Sequence, residues 1–274
     1  MANKVLILGR GFIGRRLEEG LGYPIIDDRI NSLGDVQNII QKYKPDVLLN
    51  CIGFSGAKNV DGCEEELEKT IHANAFVPLW LAEGCLRNNI KLVHISSGCI
   101  YHYDYKKDKP HTETKVPDYF HLYYSRTKIY SEQALVNLSR KYNILIARIR
   151  IPLDDRPHPR NILTKLLSFG KVIDIPNSLT YLPDFIEALR FLIKKDARGI
   201  YNIVNKGGLR YPKLLKVYQK IVPEFTFEIM DYKMLRMSRT NLVLSSRKLE
   251  QAGFKIRCID DVLEECVSRY LRHK

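Results

Sequence analysis

A chain of 274 residues, 45% of them hydrophobic, is long enough for one sizeable domain or two lobes that share a core. Its net charge of +13 is uneven: residues 141–274 carry 26 Lys and Arg against 14 Asp and Glu, while residues 1–140 carry 18 against 17. No apolar run approaches the roughly 18 residues of a helical membrane span, and the six cysteines are scattered without a C-x-x-C pair, which argues against a zinc site or a disulfide framework.

The N-terminal stretch runs straight into a glycine motif with no signal-peptide pattern, so the expected compartment is the cytoplasm, with no membrane partner and no metal. The basic second half calls for an anion. It has no basic tract interleaved with aromatics and no nucleic-acid module, so nucleic acid is not expected; dispersed basic residues suit a diphosphate ligand or simply a solvated surface.

In chain order, Lys4 to Leu8 reads as a first strand, and Ile13, Leu17 and Leu21 at spacing four give the buried stripe of the helix that follows. Tyr23 to Asp27 is a short second strand, Val47 to Asn50 a third after Lys44-Pro45-Asp46, and Leu67, Ile71 and Ala75 mark a long helix. Lys91 to Ser96 is a fourth strand, Tyr124 to Leu138 a helix and Ile144 to Arg150 a fifth strand. Strands alternating with helices predict an α/β, doubly wound parallel (Rossmann) sheet for residues 1–151. After Pro152 the prolines at 157, 159, 176 and 183 break the pattern, which predicts a smaller, mainly helical substrate lobe from 152–182 and 205–274. A helix from about Asp184 to Lys194 and a strand from Gly199 to Val204 are expected to return to the main sheet, over about 183–204. The chain ends in an amphipathic helix carrying Val262, Leu263, Cys266, Val267, Tyr270 and Leu271.

Gly9-Arg10-Gly11-Phe12-Ile13-Gly14 follows a strand and opens a helix, the context in which G-x-G-x-x-G binds a dinucleotide. Gly9 permits the tight turn, Gly11 lets a pyrophosphate approach the backbone, and Gly14 lets helix and strand pack closely. Arg10 and Arg29 suit a 2′-phosphate, whereas Asp27 or Asp28 suits a free 2′-hydroxyl. NADP(H) is favoured over NAD(H). Further along, Tyr124-Ser125-Arg126-Thr127-Lys128 places a phenol and an ammonium four residues apart on one helix face, where the cation favours phenolate. Tyr124 is thus a candidate acid for a carbonyl receiving hydride. Ser97 and Cys99 are two apart in an extended segment and point the same way, at the strand end where such folds bind ligands.

With these residues assembled, the sequence resembles the extended short-chain dehydrogenases/reductases: the glycine motif, Asn50-Cys51-Ile52-Gly53, Asn74, Ser97 and the Tyr124/Lys128 pair fall where that family has its fingerprint. The resemblance implies that Lys128 also holds the nicotinamide ribose, that Cys51, Ile52, Gly53 and Asn74 line the cofactor, and that Pro152 joins them. It narrows further. Ser97-Gly98-Cys99-Ile100-Tyr101, Asn59-Val60-Asp61-Gly62-Cys63-Glu64, Pro159-Arg160-Asn161 with Lys165, and residues 171–178 are similar to the bifunctional nucleotide-rhamnose synthase/epimerase-reductases.

That resemblance implies conversion of a UDP- or dTDP-4-keto-6-deoxyglucose to the L-rhamnose nucleotide, with Cys99 and Lys165 as the base and acid of C3 and C5 epimerisation. Removing a proton from a carbon that flanks the ketone gives an enolate, and a thiolate near cations is a credible base for it. It also implies that Arg239 lies near the nucleotide diphosphate, with Arg160 and Asn161 in the same pocket; a guanidinium fork suits phosphate. Ile52 and residues 27–31 depart from the family pattern. Rival readings are a pure 4-ketoreductase, a GDP-fucose synthase and a non-catalytic NADP-binding regulatory subunit; Cys99 with Lys165, residues 173–178, and the intact Tyr124/Lys128 pair speak against each in turn. A homodimer is in keeping with the superfamily, although no sequence feature marks its interface.

Overall fold

The computed structural model describes residues 4–234 and 240–274. The chain divides into two compact units, one of residues 1–100, 117–148 and 192–201, the other of residues 101–116, 149–191 and 202–274.

In the first unit, β1 (Val5–Leu8) leads through Gly11 into α1 (Phe12–Leu21), then β2 (Ile25–Ile26), α2 (Leu33–Tyr43) and β3 (Val47–Asn50). A further helical path comprises α3 (Leu67–Ile71), one π-helical turn (His72–Phe76) and α4 (Val77–Arg87), and leads to β4 (Lys91–Ser97), α5 (Tyr123–Ser139) and β5 (Ile144–Ile149). These strands and a later one form a single six-stranded sheet in the order β2-β1-β3-β4-β5-β9, with β9 at Gly199–Asn202. The pairs β1·β2, β1·β3 and β3·β4 are parallel, as the alternation of strand and helix predicts.

Every residue of β1, β3, β4 and β5 is buried, the mark of a sheet covered on both faces. One core packs Leu6, Leu8, Leu48, Leu92 and Ile146 of the sheet against Val36, Ile39 and Ile40 of α2, Leu81 and Cys85 of α4, and Leu135 of α5. Each fully buried aliphatic side chain there contributes about 1.5–3 kcal/mol. Helix α2 is absent from the elements expected above, yet it carries its own signals. Ser32 caps it, accepting from the Asp35 N–H, and its core-facing residues recur at helical spacing. The second strand is two residues long rather than the five expected, because only Ile25 and Ile26 pair with β1.

The second unit has its own core of Leu153, Leu163, Leu166, Val172, Tyr181, Leu214, Leu215, Val262, Leu263, Cys266 and Val267 among others. Its elements are β6 (Pro152–Leu153), α6 (Ile162–Ser168), β7 (Lys171–Ile173), β8 (Thr180–Tyr181), most of α7 (Leu182–Lys194), α8 (Tyr211–Ile221), β10 (Glu228–Met230), α9 (Arg247–Gln251) and α10 (Leu263–Arg272). The short strands pair as β6·β8 and β7·β10, both parallel.

This division differs from the expected boundaries by a few residues at 149–151 and 202–204, and more widely in two places. Residues 101–116 go with the second unit, where Glu113 accepts the Asn202 N–H at 2.9 Å and His111 bridges to Leu244. The first part of α7 does the same, because the buried Asp184 carboxylate accepts from Asn205 at 2.7 Å and pairs with Arg257. Among the described residues, no helix is long and apolar enough to cross a membrane.

Candidate active site

The glycine loop has the backbone that its sequence calls for. Gly9 has φ +96°, and a side chain there would meet the Ile52 amide nitrogen at 2.9 Å. A Cβ on Gly14 would lie 2.0 Å from the Gly9 carbonyl oxygen, so only hydrogen lets α1 start where it does. A Cβ on Gly11 would meet nothing within 4 Å. Open space beside Gly11, at the N-terminus of α1, is what a pyrophosphate needs, and the loop fits a dinucleotide on that ground. Phe12 and Ile13 form the first turn of α1.

Arg10 donates to the Ile25 carbonyl at 2.9 Å and lies 3.6 Å from the Glu18 carboxylate, while its own N–H faces the Asp27 carboxylate at 3.5 Å. Asp27 and Arg29 are both exposed beyond β2. The stretch after β3 packs on this loop, with the Cys51 N–H donating to the Leu8 carbonyl at 2.9 Å and the Ile52 N–H to Asn50 Oδ1 at 2.9 Å.

Helix α5 carries Tyr124 at its second position and Lys128 one turn on. Lys128 is 5% exposed, and burial pulls the pKa of its ammonium down to about 8, with Glu132, Cys51 and Cys63 acting in the opposite direction. A Cβ on Gly53 would stand 3.4 Å from Lys128 Nζ and 3.3 Å from Asn74 Oδ1, so the missing side chain at 53 is what lets these groups gather. Asn74 sits in the π-helical turn, a distortion frequent at functional sites. Its amide accepts from the Phe54 N–H at 2.9 Å and donates to the Phe54 carbonyl at 2.8 Å and to Thr127 Oγ1 at 3.3 Å. Asn74 therefore holds the loop after β3 against α5. Desolvation raises the pKa of the Cys51 thiol, with the Lys128 charge opposing it.

The end of β4 completes the group. The Ser97 hydroxyl oxygen accepts the Cys99 N–H at 3.1 Å, and the Cys99 carbonyl accepts from Ser125 Oγ at 2.6 Å. That last bond ties the strand end bearing Ser97 and Cys99 to the first turn of α5.

Below it, the alternate face of β4 carries two buried polar residues, and each needs a partner. Asn50 Nδ2 donates to His94 Nδ1 at 3.0 Å, and burial together with the nearby Lys128 charge holds the His94 pKa well below its usual range. Ser96 donates to Glu132 at 2.7 Å, and the same carboxylate binds Arg148 of β5 at 2.5–3.1 Å. Sequence reasoning does not single out His94, Ser96, Glu132 or Arg148. The available signal was Glu132 at one further turn beyond Lys128, together with ionisable residues inside otherwise apolar strands.

The remaining expected residues lie in the second unit. Lys165 is on α6, half-buried; Arg160 is half-buried just before that helix; Pro152 pairs with Thr180 in the β6·β8 ladder. Asn161 is a correction. It is fully buried, its Oδ1 accepts from the Asp154 and Leu163 N–H groups, and its Nδ2 donates to the Asp154 and Arg156 carbonyls. Four bonds saturate a carboxamide, so Asn161 caps α6 and shapes the loop before it rather than contacting a ligand. Arg239 lies outside the described residues. Among the described residues, no group of three or more His, Cys, Asp or Glu is placed to hold a metal ion.

Comparison with known proteins shows the family and the fold. A family model for the RmlD substrate binding domain matches residues 24–174. A bifunctional dTDP-4-dehydrorhamnose 3,5-epimerase/dTDP-4-dehydrorhamnose reductase of Arabidopsis thaliana is 30% identical over 253 residues, covering 88% of this chain and 82% of the relative. The chain belongs to the RmlD family.

Within solved structures, the L780 UDP-rhamnose synthase of Acanthamoeba polyphaga mimivirus superposes with a TM-score of 0.90 at 27% identity, over 98% of this chain and 100% of that one. The dTDP-4-dehydrorhamnose reductase of Bacillus anthracis, solved in complex with NADP, shares the fold with a TM-score of 0.80 at 19% identity, over the whole of both chains. The chain also matches a trifunctional Arabidopsis thaliana UDP-glucose 4,6-dehydratase/UDP-4-keto-6-deoxy-D-glucose 3,5-epimerase/UDP-4-keto-L-rhamnose-reductase, of whose length it spans 39%. The expected fold class and the expected kinship with nucleotide-rhamnose enzymes both hold.

Proposed function

We propose that this RmlD-family chain is an NADPH-dependent 3,5-epimerase/4-ketoreductase that converts a UDP- or dTDP-4-keto-6-deoxyglucose to the corresponding L-rhamnose nucleotide. The observation that carries the reading is the 2.6 Å bond from Ser125 Oγ to the Cys99 carbonyl, which joins the turn bearing Tyr124 to the strand end bearing Ser97 and Cys99. The relatives' names support the same reaction class.

The cradle of Gly9, Gly11 and Gly14 holds the dinucleotide, with Arg10 and Arg29 favouring a 2′-phosphate over the 2′-hydroxyl that Asp27 would prefer. NADPH, when bound, supplies hydride to C4 of the keto sugar. Ser97 donates a hydrogen bond to the ketone oxygen, and Tyr124 gives its proton to that oxygen as negative charge develops there. Lys128 stabilises the resulting phenolate and takes the ribose hydroxyls. Before reduction, Cys99 as thiolate removes the proton from C3 or C5, the Ser97 and Tyr124 hydroxyls stabilise the enolate, and Lys165 returns a proton to the other face. Arg160 and Arg239 bind the diphosphate, in keeping with the basic second half of the chain.

The test is NMR and mass analysis of products from UDP- and dTDP-4-keto-6-deoxyglucose incubated with the protein and NADPH in D2O. An L-rhamnose nucleotide with deuterium at C3 and C5 is expected. Reduction without deuterium uptake would refute the epimerase role and leave a 4-ketoreductase, with Cys99 and Lys165 as ordinary structural residues. Wild-type turnover by a Tyr124→Phe variant would refute the assignment of the proton donor.

A further inference from the structure

We propose that Glu64 is a positioning residue for Tyr124: it caps the catalytic helix from outside and fixes the first turn in which the proton donor sits. The inference rests on the reading of Tyr124 given above.

Helix α5 begins without local help. Its N-cap position is Leu122, which has no side-chain acceptor, and its first turn contains no acidic residue but does contain Arg126. A helix N-terminus presents unsatisfied N–H groups and a partial positive charge, so a cation there is at the unfavourable end. Glu64 answers both needs from a distant part of the chain. One carboxylate oxygen accepts the Tyr123 N–H at 2.6 Å, and the other lies 3.8 Å from the Arg126 guanidinium, which also stacks over the Tyr123 ring at 5.3 Å. Ser125 is tied to the Cys99 carbonyl. Positions 123, 125 and 126 are thus held, and Tyr124 is bracketed between them.

The stretch 59–64, which resembles the family without a role in the chemistry, is built to present this carboxylate. Asn59 Oδ1 accepts the Asp61 N–H at 2.9 Å and caps a 3-10 turn (Val60–Cys63). Gly56 has φ +73°, and a Cβ on it would lie 1.9 Å from the Asn59 carbonyl oxygen, so the loop closes only around glycine. Cys63 is fully buried, with its carbonyl accepting from Thr70 Oγ1 at 3.4 Å, which anchors the turn one residue before Glu64. The partners of the Glu64 carboxylate, Tyr123 and Arg126, lie on α5 in the first unit.

A proton donor misplaced by about 1 Å can cost on the order of 100-fold in rate. Glu64→Ala is therefore expected to lower kcat by about 10- to 100-fold. The KM for the keto sugar, NADPH binding by fluorescence and Tm should stay near wild type. Glu64→Gln keeps an oxygen acceptor of the same reach and should recover most of the rate, whereas Glu64→Asp keeps the charge but falls short and should behave like Glu64→Ala. The Gln and Asp pair decides the matter even if the Ala variant does not fold.

A kcat within about twofold of wild type in Glu64→Asp and Glu64→Ala would overturn the proposal, since the rate effect expected from misplacement would be missing. So would a loss shared equally by Tm and NADPH binding, which is what a merely structural residue gives. Tyr124→Phe, run alongside, separates the two readings. If it is inactive while the Glu64 variants are fully active, only the positioning role fails. If it turns over like wild type, the proton-donor reading fails first.

Discussion

Replacing Glu132 by Gln tests the buried electrostatics under the site most directly. Glu132 and Arg148 are each 1% exposed, joined by three guanidinium–carboxylate contacts of 2.5–3.1 Å, and the carboxylate also takes the Ser96 hydroxyl. The amide of Gln has nearly the same shape but no charge, and it turns a donor toward groups that are themselves donors. Arg148 is left as a buried cation without its counter-charge, a situation that costs about 3–5 kcal/mol. Set against the roughly 5–15 kcal/mol of total stability typical for a folded protein, that is a large fraction.

Urea unfolding followed by circular dichroism should therefore show the midpoint of Glu132→Gln falling at unchanged slope. A double variant, Glu132→Leu with Arg148→Met, removes both charges and should recover most of the loss, because an apolar pair of similar volume replaces a buried ion pair at little net cost. A Glu132→Gln loss below about 1 kcal/mol, the range of exposed ion pairs, would refute the placement of this pair in a low-dielectric interior.

Lys128 should be a stability liability that function retains. Its pKa is about 8 in the folded chain against 10.5 when unperturbed, so between these values the unfolded chain binds more protons and the burial penalty fades as pH rises. Lys128→Met should accordingly be more stable than wild type by about 3 kcal/mol near pH 7, a gain that disappears by about pH 10.5 in parallel urea titrations. An unchanging difference across that range would contradict the depressed pKa.

His94 works at the acid end. Its folded pKa is held below 6.5, so the unfolded chain gains the proton first, and stability should fall with pH below about 6.5 by up to about 1.4 kcal/mol per unit relative to His94→Gln. Parallel pH profiles for the two proteins would count against a buried neutral imidazole. In the glycine loop, Gly14→Ala must displace the Gly9 carbonyl and should lower both Tm and NADPH affinity, whereas Gly11→Ala, with open space around its Cβ, should keep Tm and lose only NADPH affinity. Equal effects of the two on Tm would refute the distinction.

The sequence by itself determined the parts whose physics is local. Strand–helix alternation, apolar strands buried on both faces, a G-x-G-x-x-G between β1 and α1, and a Tyr and Lys one helical turn apart are all carried by neighbours in the chain. Each was legible from spacing, and the parallel sheet and the glycine turn between β1 and α1 are as they predict. Helix α2 was equally local, with its Ser32 cap and its Val36, Ile39 and Ile40 stripe.

Tertiary structure alone decided where polar capacity is used. Asn161 looks like a ligand contact in a linear pattern, yet the fold commits its amide to the backbone of Asp154, Arg156 and Leu163. Glu132 and Arg148 are 16 residues apart and Glu64 and Tyr123 are 59 apart, so no periodicity connects them. A buried polar group must find a partner wherever the folded chain supplies one, and that partner is set by which strands and helices come to lie together rather than by the spacing of residues along the chain.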